Sequence, residues 1–182
     1  MQTFGTLTLQ PALDHPDLLA EPVRETLAAW KHAAEVLVAA IDPDFADTEA
    51  MSQTYEVPLS SGANCVVVMG RRDGEERTAA CVVRADTRAD VNNVVKRTLD
   101  VRKASFLDRG RAVTETGMEY GGITPVGLPA GWRLLVDQAA TGIETAIIGS
   151  GIRGSKLVIP GRLLGLLPGA EVVPGLARPA PA

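Results

Sequence analysis

One stretch of this sequence leaves its backbone little choice. Asn64-Cys65-Val66-Val67-Val68-Met69 is apolar after its first residue and is closed off by Gly62 and Gly70. The run is too short for a packed helix, and its valines are β-branched. Without polar alternation it reads as a strand buried on both faces, which requires a layer on each side. Arg71-Arg72-Asp73-Gly74 supplies a turn, and Thr78 to Arg84 returns as the hairpin partner. Aromatic residues make up only 4% of the chain, so the core must come from Val, Leu, Ile and Ala. With 18 Gly and 12 Pro, turns are frequent, which suits short strands better than a helical bundle.

The rest of the chain fits one mixed α/β domain, a mixed β-sheet surrounded by helices. Thr3 to Leu9 alternates as a strand. Pro22 suits the first turn of a helix, and Val23, Leu27, Trp30, Leu37 and Ile41 recur at helical spacing until Asp42-Pro43 ends the pattern. A second helix is expected over about Ala46 to Tyr55. A third carries Val91, Val94, Val95 and Leu99 on one side, and a fourth follows Asp108 and stops at Gly117. Strands are expected at Arg133 to Val136, Thr145 to Ile148 and Lys156 to Ile159, then a short helix at Arg162 to Leu167. The organisation predicted is an N-terminal strand-and-helix extension over 1–45 packed on the core, a main domain over 46–173, and a flexible Pro- and Ala-rich tail over 174–182.

Composition narrows the function classes. The start of the chain has no basic stretch followed by an apolar run, and no stretch approaches the roughly 20 apolar residues that span a bilayer. Cys65 and Cys81 stand singly in strand-like runs and read as buried thiols of a reducing compartment, so a cytoplasmic protein is expected. The net charge of −4 argues against nucleic acid, but its distribution is uneven. Acidic residues crowd the first third, and basic residues gather from Arg84 to Arg111. A local positive face of that kind can still steer an RNA.

The usual catalytic templates are missing. His15 and His32 lie far from any nucleophile motif, Cys and His never cluster, and there is no GxSxG, HExxH or P-loop. What remains is a pair of glycine-rich loops, Gly121 to Gly127 and Ile148 to Gly154. Such loops let backbone approach a ligand and can aim N–H groups at an oxyanion, although tight turns use the same residues.

At these loops the sequence resembles the YbaK/EbsC family. Glu119-Tyr120-Gly121-Gly122-Ile123-Thr124-Pro125-Val126-Gly127 is similar to its Gly-Gly-Val-Ser-Pro-Phe-Gly stretch and contains the GxxxP signature as Gly121 and Pro125. Leu134-Leu135-Val136-Asp137 resembles the strand ending in Asp that follows. Gly149-Ser150-Gly151-Ile152-Arg153-Gly154 resembles the second glycine loop, and Asn64-Cys65-Val66-Val67-Val68 stands where the family has Lys-Thr-Leu-Val-Leu. The similarity runs in order from about Ala46 to Leu167.

The resemblance implies the fold of the prolyl-tRNA synthetase-associated editing domain. It also implies hydrolysis of the ester that joins a wrong amino acid to the tRNA 3′ end, needing neither cofactor nor metal. Editing answers a physical limit, because a synthetic site cannot reject a similar or smaller amino acid by more than a few kcal/mol. In such enzymes water attacks the ester carbonyl, helped by the substrate's ribose hydroxyl and backbone donors.

By the same resemblance Asn64, Gly121, Thr124, Pro125, Gly149, Ser150 and Gly151 form the catalytic pocket. Gly122, Asp137, Arg153 and Lys156 contact substrate, and from the basic stretch Lys96, Arg97, Arg102 and Lys103 are expected to meet tRNA phosphates. The implied partners are the tRNA acceptor end and an associated synthetase, with neither DNA nor membrane. One departure stands out: Asn64 replaces the family's lysine, losing the charge and about two bonds of reach. Asn64 then serves a different aminoacyl group, or another cation such as Arg102, Lys103 or Lys156 fills the role. The third reading is a non-catalytic module that binds tRNA, an aminoacyl compound or a nucleotide.

Overall fold

The computed structural model describes residues 2–180. The chain opens with a hairpin, β1 (Gln2–Phe4) and β2 (Leu7–Pro11), with Phe4 opposite Leu7 across Gly5 and Thr6. The strand expected over Thr3 to Leu9 is therefore two, because the backbone reverses at Gly5-Thr6. Helix α1 (Glu21–Ala29) begins with Pro22 in its first turn and buries Val23 and Leu27. It ends well before Ile41, contrary to the stripe read from the sequence. Trp30 turns extended and donates its indole N–H to the Leu166 carbonyl at 3.2 Å. Leu37–Ala40 becomes β3, hydrogen-bonded on both edges. The apolar run Leu37 to Ile41 satisfies either period, and two waiting strand partners decide it.

Helix α2 (Thr48–Thr54) leads to the long hairpin of β4 (Ala63–Arg72) and β5 (Glu75–Arg84), paired over their full length as the sequence predicts. Strand β6 (Thr87–Ala89) precedes a wide helical turn, Val91–Val95, that runs into α3 (Lys96–Leu99). After β7 (Ala104–Phe106) comes α4 (Arg109–Thr116). Asp108 caps it by accepting the Arg111 N–H, and Gly117 closes it with a left-handed φ of 65°. The chain finishes with β8 (Arg133–Asp137), α5 (Gln138–Thr141), β9 (Thr145–Gly149), β10 (Ser155–Pro160), a tight turn of helix at Gly161–Leu166, β11 (Ala170–Val173) and β12 (Ala177–Pro179).

The strands divide between two five-stranded sheets, ordered β1-β2-β3-β10-β9 and β11-β8-β5-β4-β7, with a separate β6–β12 ribbon, rather than forming one sheet. The first sheet is antiparallel throughout, and the second takes β8 parallel to both β5 and β11. A parallel bridge from Gly62 to Ile147 ties the start of β4 to β9. The main core fills the space between the sheets, where Ala80 and Val82 meet Leu134, Ile148 and Leu157 beneath α1. Ala79, Cys81 and Val83 face the other way, toward Val95 and Leu99, so β5 is buried on both sides. The N-terminal segment is not an appendage, since β1, β2 and β3 are three of the five strands in their sheet.

The expected flexible tail is ordered as far as the described residues reach; residues 181–182 lie outside them. Leu176 is fully buried in the second core, its N–H donates to the Asp137 carboxylate at 3.2 Å, and β12 pairs with β6. Its proline-rich composition concealed one deeply anchored leucine. Leu176→Ala should therefore cost about 2–5 kcal/mol in urea denaturation, the usual range for emptying a buried leucine site. An unchanged midpoint would mean that the segment detaches in solution.

Candidate functional site

The two glycine loops close on each other through backbone. Gly151 N–H donates to the Gly122 carbonyl at 2.8 Å, Glu119 N–H to the Gly151 carbonyl at 2.8 Å, and Gly122 N–H to the Glu119 carbonyl at 2.9 Å. The Glu119 carboxylate accepts the Arg153 N–H at 2.7 Å. The fit leaves no room for side chains: a Cβ on Gly122 would lie 2.6 Å from the Ile152 carbonyl carbon, and one on Gly149 2.4 Å from the Gly122 oxygen. The sequence needs glycine here because backbone lies against backbone.

Beside this junction is a pocket of about 270 Å³ whose lining includes Asn64, Tyr120, Gly121, Gly149 and Lys156. Lys156 sits on β10 directly opposite Gly149, and its ammonium reaches to 3.5 Å from the Gly121 carbonyl. Only 8% of the residue is exposed. Burial lowers its pKa to about 8; Asp47 opposes the shift and Arg153 adds to it. Asn64, on β4, accepts a hydrogen bond from the Thr48 hydroxyl at 2.8 Å through Oδ1. That bond fixes the amide's orientation and leaves the Nδ2 donors available. Lys156 and Asn64 thus place a cation and a neutral donor in one small cavity.

Neither the cysteines nor Ser150 is prepared as a nucleophile. Burial raises the thiol pKa of Cys65 and pushes that of Cys81 up to about 12, so neither provides a thiolate near neutrality. Ser150 is fully buried, its hydroxyl 2.6 Å from that of Ser155 and 3.1 Å from the Ser155 carbonyl, while Ser155 in turn donates to the Leu18 carbonyl. It fastens the second loop to the N-terminal segment. The arrangement suits binding a polar, oxygen-rich group and stabilising negative charge on it.

Of the residues predicted for the site, Asn64, Gly121, Gly149 and Lys156 line the pocket. Gly122 and Gly151 shape it from behind through the loop junction. Arg153 braces it, its Nε donating to the Pro43 carbonyl at 2.9 Å and its guanidinium 3.8 Å from Asp47. Thr124 is wholly buried, and its hydroxyl has no partner among the described residues. Pro125 faces a different groove, together with Leu128 and Trp132. Asp137 holds Leu176 and lines another depression, away from Lys156.

Sequence reasoning did not single out Asp47, Thr48, Tyr120 or Arg109. The first three line the pocket, and the Arg109 guanidinium stacks 3.8 Å over the Tyr120 ring. Asp47 and Thr48 lie just ahead of and within α2, so nothing local in the sequence marks them. Tyr120 adjoins the glycine motif and was the one legible signal.

The basic stretch is more neutral than its composition suggests. Arg84 pairs with Asp86, Arg102 with Asp73, and Arg111 with Glu76 and Glu115. Lys96 and Arg97 begin α3, and Arg102 and Lys103 lie between α3 and β7; none of the four lines the pocket.

Three solved structures share this architecture. A crystal structure of the hypothetical protein APE2540 superposes with a TM-score of 0.74 at 22% identity, covering 87% of this chain and all of that one (100%). A crystal structure of a candidate trans-editing enzyme for prolyl tRNA synthetase gives 0.71 at 17% identity, covering 85% of this chain and 94% of the other. A candidate signal transduction protein from Marinobacter aquaeolei VT8 gives 0.54 at 18% identity, covering 86% of this chain but 30% of that longer one. At these identities the likeness is one of fold. Residues 42–166, more than half of the chain, match the family model described as the aminoacyl-tRNA editing domain, and they contain both glycine loops, Asn64 and Lys156. The chain belongs to the aminoacyl-tRNA editing domain family.

Proposed function

We propose that the chain is a trans-acting aminoacyl-tRNA deacylase in which Lys156 supplies the charge that Asn64 lacks. The observation that carries the reading is that Lys156, alone of the three cations that could replace the family's lysine, enters the pocket with Asn64. The ester carbonyl oxygen would lie against the Lys156 ammonium. Water adds to the carbonyl carbon, the resulting oxyanion is held by that ammonium, and the ester C–O bond then breaks. The ribose oxygen takes up the proton that the attacking water gives up, releasing free amino acid and intact tRNA. Asn64, held by Thr48, donates Nδ2–H to the aminoacyl or ribose group. With a volume of about 270 Å³, the pocket suits a small aminoacyl group.

The test is release of amino acid from a panel of mischarged tRNAs, beginning with alanyl- and cysteinyl-tRNA that carry the proline anticodon. Turnover of one above the spontaneous rate is the expected result. Asn64→Lys separates this reading from that of a non-catalytic module. A second ammonium beside Lys156 would repel the first and depress its pKa further, so kcat/KM should fall about tenfold or more. If activity appears or rises sharply instead, the pocket had lapsed and the module reading holds.

A further inference from the structure

A second cavity, of about 620 Å³, shares Asn64 with the catalytic pocket. It opens where β7 stops covering β4, since β7 pairs only with Val68, Met69 and Gly70. The charged residues that line it are Arg88 and Arg178, with no carboxylate among its lining residues. These two arginines are direct cross-strand partners in the β6–β12 ribbon. Like charges placed opposite each other weaken a strand pair, and neither arginine makes an ion pair with a described residue. An anion between them would remove that repulsion and turn an unfavourable pair into a clamp.

The remaining wall suits a base. Phe106, 63% exposed, lies at the cavity, and the exposed side chain of Asn92 offers both a donor and an acceptor. An aromatic platform beside a cationic groove is the usual way to hold single-stranded nucleic acid. The volume falls within the range of sites that enclose a small organic molecule. Arg178 lies beyond residues 42–166, so half of the clamp comes from outside the matched family region.

We infer that this cavity seats a nucleotide of the tRNA 3′ end, its phosphate between Arg88 and Arg178 and its base on Phe106. The esterified ribose then passes Asn64 into the pocket that holds Lys156. This placement rests on the deacylase reading and gives that reading its binding geometry.

The experiment measures fluorescence anisotropy of an acceptor-stem minihelix ending in CCA, against the same minihelix trimmed of its single-stranded end, at several salt concentrations. Arg88→Gln and Arg178→Gln should each weaken the intact minihelix about fivefold to tenfold and flatten the slope of log affinity against log salt by about 0.7. Phe106→Ala should weaken it about fivefold or more, and Phe106→Trp should restore it. Arg162→Gln, at an arginine that pairs with Glu35, serves as the surface control and should change nothing. Melting temperatures of the two glutamine variants should equal or exceed that of wild type, because the repulsion is relieved; a merely structural role predicts the reverse.

If the three lesions leave the intact minihelix bound as before while wild type deacylates, the cavity assignment is wrong and the deacylase reading survives. If wild type neither binds nor deacylates, both fall together. If free cytidine or adenosine monophosphate binds through Arg88 and Arg178 while the minihelix does not, the site takes a nucleotide but not the tRNA end, and the inference is overturned.

Discussion

Lys156→Met is expected to abolish deacylation and, in the same molecule, to raise stability. An interaction made with charge that develops in the transition state is worth about a hundredfold to a thousandfold in kcat when its donor is removed. The ammonium is kept at a cost to the fold, because burial pulls its pKa from an ordinary amine value of 10.5 to about 8. A shift of that size corresponds to roughly 3–3.5 kcal/mol, present in full below pH 8, where the folded state must hold a charge that water would solvate better. Between about pH 8 and 10.5 the unfolded chain binds more protons than the folded one, so wild-type stability contributed by this group rises with pH across that window. Methionine matches the stem without the charge. It should therefore flatten the rise and increase urea resistance at pH 7. Wild-type turnover, corrected for spontaneous ester hydrolysis, should decline above about pH 8 as the ammonium is lost. A methionine variant that keeps its activity, or one less stable than wild type at pH 7, would show that Lys156 is a structural cation and not the one that meets the ester.

The same residue shows how far the sequence could be read. Arg102, Lys103 and Lys156 were equivalent as replacements for the missing lysine while only their order in the chain was known. The distinction needed the pairing of β10 with β9, which sets Lys156 opposite Gly149, and the loop junction that brings Gly121 over it. Local signals were reliable where the causes were local. The β4–β5 hairpin followed from an apolar run and a turn, and α4 from a capping aspartate and a left-handed glycine. They failed at Leu37–Ala40, whose apolar pattern allows helix or strand until β2 and β10 lie beside it. They failed again at Leu176, where a single buried side chain among prolines outweighs the composition around it. Ser150 belongs to the same class: the motif marks its position, but its hydroxyl turns inward to Ser155 instead of facing the pocket.

Gly149→Ala is expected to damage the fold and the pocket together, although it adds a single methyl group. Its new methyl would lie 2.4 Å from the Gly122 oxygen and 2.6 Å from that of Ile123, both backbone atoms that cannot swing aside as a side chain does. The loops must part, losing the bond from Gly151 N–H to the Gly122 carbonyl and exposing the junction to water. Overpacking of this kind costs about 1–3 kcal/mol, and a buried backbone group left without its partner adds roughly 1–3 more. A loss of about 2–6 kcal/mol is therefore expected in denaturant unfolding. Gly154→Ala provides the contrast within the same loop. A Cβ there meets nothing closer than 3.8 Å, so its effect should stay within about 0.5 kcal/mol. Activity should divide the two variants as sharply as stability does, since Gly149 is the cross-strand partner of Lys156 and any displacement carries the ammonium away from Gly121. If both alanines were tolerated alike, the loops would not be locked backbone against backbone, and the glycines would owe their places to turn geometry alone.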